Sequence, residues 1–245
     1  KNKMLSHDAH VVEHLPYLIP DKLQVSLLEH ILRISATCAP LKELEGRCTQ
    51  LFNVDAQRIL LEDGNGARPL SADVVESFLS SCREAATLCY GKADVSLGLI
   101  EVVAYHAGGS TPKHVDCVPG LVCVVSLGAE AHFEWSLASS SSCSNSVLLH
   151  SGDVCRFEGD ASLGIEHRVV SVKERETVPR SLERFFNDKF ARFIVQMRKA
   201  PNVSMAQSAS EKKSTASEVG VIPIADIAQR KFVNFGSPIA RTPHP

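Results

Sequence analysis

Near residue 97 the spacing of apolar residues changes character, and that change limits what the chain can fold into. Before it, Leu23, Leu27, Leu28, Ile31 and Leu32 recur at helical spacing after Pro20 and Asp21, which predicts an amphipathic helix over 22–33. A second helix is predicted over 71–88, where Ser71 can cap and Val74, Val75, Phe78, Leu79, Cys82, Ala85 and Ala86 form one stripe. Between the two, a turn at 63–66 follows the apolar run 58–61, and helices are expected to dominate this first third. After residue 97 come short apolar segments at 99–105, 121–127, 147–150, 153–157, 167–172 and 192–197, separated by Gly, Pro, Ser and Asp. These predict an all-β half built as a barrel or a sandwich. The fold class is therefore α+β, helices first. Past Lys199 the chain turns small and polar, and 200–245 is expected to be a flexible tail.

The 245 residues suit one well-cored domain rather than two. Hydrophobic content of 44% with 22% charged residues excludes a disordered or fibrous protein. No apolar run reaches the roughly 18–20 residues that cross a bilayer, and 1–10 lacks the apolar core of a secretory signal. A soluble, intracellular monomer without a membrane partner is expected. The chain begins with lysine, which leaves a removed leader and an organellar address open. Eight cysteines (Cys38, Cys48, Cys82, Cys89, Cys117, Cys123, Cys143, Cys155) form no C-x-x-C pair and read as reduced, buried thiols, and a cysteine zinc site has no spacing to support it. A net charge of −2 gives no whole-molecule basic field, so a nucleic-acid partner would need a local patch.

His114 and Asp116 are two residues apart, and in an extended strand such side chains share a face. A third ligand must come from elsewhere, and His167 lies 51 residues beyond Asp116 in the strand-like 167–172. Two histidines and one carboxylate occupy one face of an octahedral iron(II), which leaves positions for a bidentate co-substrate and dioxygen. Alone, His167 also suits a hydrogen-bonded histidine of the core.

An independent signal comes from 192–198. Alternation puts Arg192, Ile194, Gln196 and Arg198 on one face and Phe193, Val195 and Met197 on the other. If the apolar set packs outside a barrel, the arginines face its interior, where a cation needs an anion beside it. A dicarboxylate such as 2-oxoglutarate fits, because guanidinium binds carboxylates in bidentate fashion. An edge strand with both arginines in solvent is the alternative.

With these residues in hand, the chain resembles the AlkB family of iron(II)/2-oxoglutarate dioxygenases from about Leu15 to Arg198. The segment 82–109 resembles the family's approach to its core, with Tyr105 nine residues before the first metal histidine. Val124–Gly128 with Ala131–Trp135 is similar to its strand pair, 150–154 (HSGDV) to the turn before its distal histidine, and Arg192 with Arg198 closes the pattern. The resemblance implies a double-stranded β-helix (jelly-roll) core with N-terminal helices packed on one side. It also implies an N-terminal extension at 1–14 and a dioxygenase domain at 15–199, helical to about 95 and β from about 96. The implied metal ligands are His114, Asp116 and His167, and the implied 2-oxoglutarate residues are Arg192, Arg198 and Tyr105. Family members often carry polar residues where this chain has Val103 and Ile194. An arginine common before the distal histidine is replaced by 160–164 (DASLG), and the segment between His167 and Arg192 is longer than in bacterial members.

The implied chemistry couples decarboxylation of 2-oxoglutarate to succinate with hydroxylation of a substrate C–H bond. On an N-methyl group it releases formaldehyde. The family's best-known substrates are alkylated bases in DNA or RNA, flipped out of the stack. Between 168 and 199 nine basic residues face four acidic ones, and this stretch either tracks phosphates or is an ordinary solvated loop. Trp135 can stack on a base or serve as a core or rim tryptophan. Cys117, next to the ligand pair, is a further candidate substrate contact and is apolar where some repair members carry acids. Two other readings stay open: the same chemistry on a protein or small molecule, and a catalytically silent binding module that retains the fold.

Overall fold

The computed structural model describes residues 12–37, 40–55, 58–60, 72–92, 95–116, 120–138, 144–158, 164–187 and 189–199. The 200–245 segment, Cys38, Cys117 and Cys143 therefore lie outside the described residues.

In chain order the elements are β1 (Val12–Leu15), α1 (Asp21–Ser35), β2 (Lys42–Leu44), β3 (Cys48–Asp55), β4 (Arg58–Leu60), α2 (Ala72–Tyr90), β5 (Leu97–Tyr105), β6 (His114–Val115), β7 (Leu121–Gly128), β8 (Ala131–Leu137), β9 (Asn145–Leu149), β10 (Val154–Glu158), β11 (Ile165–Val172) and β12 (Arg192–Lys199). Two short 3-10 turns, Arg175–Thr177 and Arg180–Phe185, join the last two strands.

The strands form two antiparallel sheets. The major sheet runs β1-β10-β7-β12-β5-β3-β2, with β4 paired to β3, and the minor sheet runs β6-β11-β8-β9. This is the double-stranded β-helix, with α1 and α2 on the outer face of the major sheet. Phe52 of β3 meets Phe78 of α2 edge-on at 5.5 Å, and the Tyr90 hydroxyl that ends α2 donates to the Leu121 carbonyl. Leu27, Leu28 and Ile31 of α1 are fully buried, and each such side chain contributes roughly 1.5–3 kcal/mol of apolar transfer. Phe193, Val195 and Met197 of β12 are buried on the outer face, Phe193 against Phe186 and Phe190, so Arg192, Ile194, Gln196 and Arg198 face the interior.

The architecture corrects two boundaries. Residues 12–14, expected in the N-terminal extension, belong to β1 and pair with β10. The first third, expected to be helical, also supplies β2, β3 and β4, which extend the major sheet beyond β5. Leu51, Phe52 and Val54 of β3 are buried along with Cys48 and Thr49, so both faces of this strand are covered and no simple apolar–polar alternation marks it. No helix among the described residues is long and apolar enough to cross a membrane.

Candidate metal centre

His114 of β6 is the direct cross-strand partner of His167 on β11, and their rings lie 4.4 Å apart between centroids. Asp116 follows immediately after β6. One ligand atom from each of His114, Asp116 and His167 falls within 4.8 Å of the others, so three residues from two distant segments converge.

The orientation of each ligand is fixed locally. The Nδ1 of His114 lies 2.8 Å from the carbonyl of Pro112, and the Nδ1 of His167 lies 3.3 Å from that of Ile165. A carbonyl only accepts, so Nδ1 carries the proton in both rings and Nε2 is left to bind a metal. The Oδ2 of Asp116 accepts from Arg198 at 2.8 Å and from Gln196 at 3.2 Å, which holds the carboxylate from one side. Burial alone would raise the Asp116 pKa. The Arg198 charge, helped by His167 and by the Arg198 hydrogen bond, outweighs it and holds the carboxyl below the usual range. Burial, reinforced by His114, pushes His167 down to about 4. The donor set is thus one ionised carboxylate with a buried imidazole that stays neutral at physiological pH, the protonation states in which these groups ligate.

Aromatic rings from both sheets back the centre, Phe157 on β10 of the major sheet and Phe133 and Trp135 on β8 of the minor sheet. Phe157 lies 4.7 Å from the His167 ring, and Trp135 of β8 is the cross-strand partner of His167 while stacking on Phe133 at 5.8 Å. Trp135 is half-buried beside the metal ligands, in keeping with a rim position.

Along the inner face of the major sheet, both arginines are buried, Arg192 at 1% exposure and Arg198 at 3%. This removes the edge-strand alternative. Arg192 faces its cross-strand partner Tyr105, which is itself buried, and its Nη1 donates to the Ala129 carbonyl. Its Nε has no hydrogen-bond partner among the described residues. Burial lowers the Arg192 pKa to about 10, so the guanidinium is still charged at neutral pH. A dry cation with an unused donor suits an incoming carboxylate, and two histidines with one carboxylate suit iron(II). The residues present therefore fit both groups.

Sequence reasoning gave no role to Gln196, although alternation had placed it between the two arginines. The carbonyls of Pro112 and Ile165 carry no sequence signal. The basic stretch is not one patch. Arg168 pairs with Glu134 on the minor sheet, Arg184 with Glu29 of α1, and Arg192 and Arg198 are interior. The Arg180–Phe185 turn, with Leu182 buried, lies against α1.

No protein-family model matches the sequence, and no curated protein matches it. Among solved structures, the chain is similar to one described as OsALKBH1, at 19% identity and a TM-score of 0.54, over 77% of this chain and 97% of that one. It is also similar to a Pseudomonas putida prolyl-4-hydroxylase, at 13% identity and 0.49, over 79% and 94%. A third is a Trichoplax adhaerens prolyl hydroxylase in complex with a hypoxia inducible factor peptide, at 10% identity and 0.49, over 82% and 88%. The first likeness establishes the architecture: the chain has the double-stranded β-helix fold of the 2-oxoglutarate/iron(II) oxygenases.

Proposed function

We propose that this chain is a non-haem iron(II), 2-oxoglutarate-dependent dioxygenase that oxidatively demethylates alkylated bases in DNA or RNA. The observation that carries the oxygenase reading is the convergence of His114, Asp116 and His167 within 4.8 Å on the interior. A buried guanidinium whose Nε has no hydrogen-bond partner among the described residues, on the inner face of the opposite sheet, adds to it.

Iron(II) held there would supply dioxygen activation, with 2-oxoglutarate as the two-electron reductant. The protein's own share is positioning. Arg198 and Gln196 hold the Asp116 carboxylate, and the two backbone carbonyls set the histidine tautomers. Arg192 and Tyr105 would anchor the remote carboxylate of the co-substrate. Val103 and Ile194 are cross-strand partners between the Arg192 level and the Gln196 level. Apolar residues in that middle layer suit the methylenes of a five-carbon diacid, which gives these two departures from the AlkB pattern a physical use. The buried deep end excludes water from the remote carboxylate, and this strengthens its pairing with Arg192.

The nucleic-acid substrate rests on the AlkB resemblance and on Trp135 beside the ligands. Ion pairs of Arg168 and Arg184 on separate elements, with a near-neutral charge, favour a second reading in which the same chemistry acts on a protein or small molecule. The test is an anaerobic titration with iron(II) and 2-oxoglutarate, followed by methylated oligonucleotides and methylated peptides scored for succinate and formaldehyde. Release stimulated only by oligonucleotides supports the demethylase of bases. Stimulation only by peptides replaces it with the second reading, and absence of 2-oxoglutarate binding removes the oxygenase altogether.

A further inference from the structure

Three buried side-chain atoms lack a hydrogen-bond partner among the described residues: the Oγ of Ser126, the Oγ of Ser136 and the Nε of Arg192. Ser136 alternates with Trp135 on β8 and so points to the outer face of the minor sheet. The other two belong together. Arg192 and Ile194 share the inner face of β12, and Ser126 is opposite Ile194 across the β12–β7 ladder, so Ser126 is a diagonal neighbour of Arg192 on that face. Diagonal neighbours of this kind are about 7–8 Å apart, within reach of an arginine side chain.

Gly128, the ladder partner of Arg192, carries no side chain, and the space a Cβ would take there, at φ of +105°, is filled by the Phe186 ring. The Arg192 Nη1 donates to the Ala129 carbonyl, and Tyr105, Cys155 and Asp153 lie within electrostatic range of the guanidinium. Asp153 does not take up the free donor. Its described bonds go to His14 Nε2 and to the backbone N–H groups of Tyr17 and His150. Two buried donors, one of them cationic, are thus diagonal neighbours on the inner face, and neither has a hydrogen-bond acceptor among the described residues. Buried donors in this state are costly unless a ligand completes them.

We infer that Ser126 is a co-substrate-binding residue that, with Arg192, donates a hydrogen bond to the remote carboxylate of a diacid. The inference rests on the oxygenase reading above and extends it to a residue that neither the ligand pattern nor the arginine pair assigns. It makes the deep end selective: a 2-oxo acid with a second carboxylate uses both donors, whereas a 2-oxo acid without one leaves both unused.

Calorimetric titration of the manganese(II)-loaded full chain, without oxygen, tests it with 2-oxoglutarate and pyruvate as separate probes. Ser126→Ala should weaken 2-oxoglutarate binding about tenfold and leave pyruvate binding unchanged, because only the former reaches the deep end. Thermal unfolding gives a second readout. Without ligand, Ser126→Ala should melt no lower than the parent, since it removes an unsatisfied hydroxyl, while the shift induced by 2-oxoglutarate shrinks. In the same background, Ile194→Ser should restore affinity by presenting a hydroxyl from the partner position. Unchanged 2-oxoglutarate affinity in Ser126→Ala, equal loss of both probes, or a lower melting point without ligand overturns the role of Ser126. A parent chain that binds pyruvate but not 2-oxoglutarate, or neither, overturns the oxygenase reading beneath it.

Discussion

The two sheets divide the work. The minor sheet carries His114 and His167, with Asp116 just past the end of β6, yet its ligand strand is two residues long and pairs with a single neighbour, β11. The major sheet carries no ligand, yet it holds Asp116 through Arg198 and Gln196 and supplies Arg192, Tyr105 and Ser126 to the deep end. Its central strands are covered on both faces, by the helices outside and the barrel interior inside. In the minor sheet, β8 and β11 alternate buried with half-buried residues. The difference teaches that binding chemistry and mechanical support are separable here: substitutions in the minor sheet should act on metal and substrate, and those in the major sheet on co-substrate affinity and stability.

The strongest challenge to that division is ligand removal. His114→Ala or Asp116→Ala should abolish metal-dependent 2-oxoglutarate turnover while the unfolding temperature without metal changes by only a few degrees. A collapse of the fold, or retained turnover, would break the division at its centre. Next in size, Asp153→Ala should destabilise the major sheet by about 2–3 kcal/mol, because three donors from β1, its following turn and His150 lose one buried acceptor. That corresponds to a fall of roughly 4–12 °C in melting temperature, with metal affinity in the folded protein unchanged. Arg192→Ala should raise the 2-oxoglutarate concentration needed for half-maximal turnover at least tenfold, in line with about 1.5–3 kcal/mol for a charge-assisted bond. Equal sensitivity of metal binding would blur the two roles. The smallest effect is expected for Trp135→Ala, a several-fold rise in KM for the methylated substrate with slow, substrate-free 2-oxoglutarate turnover intact. A matching loss in the substrate-free reaction would make Trp135 a support for His167 rather than a wall for substrate.

The same contrast explains what could be read from the sequence. Regular alternation within 192–198 fixed which residues face inward because one face meets helices and the other the cavity, and burial of Arg192 and Arg198 follows that expectation. The two-residue spacing of His114 and Asp116 was equally legible, since it depends only on the strand period. Both helices were visible at their apolar stripes, α1 running 21–35 against an expected 22–33. β3 was hidden because a strand buried on both sides loses its period of two. Ser126 was hidden for another reason: a serine inside VVSLG reads as ordinary β-sequence, and only the register against Ile194 reveals which groups it faces. The basic residues of 168–199 divide among different surroundings, because sequence proximity does not set which side of a sheet each one occupies.

The pairing of His114 with His167 has one more consequence. These two ligands are opposite members of a single rung, so the gap between their backbones is set by the interstrand spacing common to all β-sheets. Loops and pocket walls can drift in sequence without retuning that gap. A one-residue slip of β6, by contrast, would turn both His114 and Asp116 outward together, so the metal grip is lost in one step rather than by degrees.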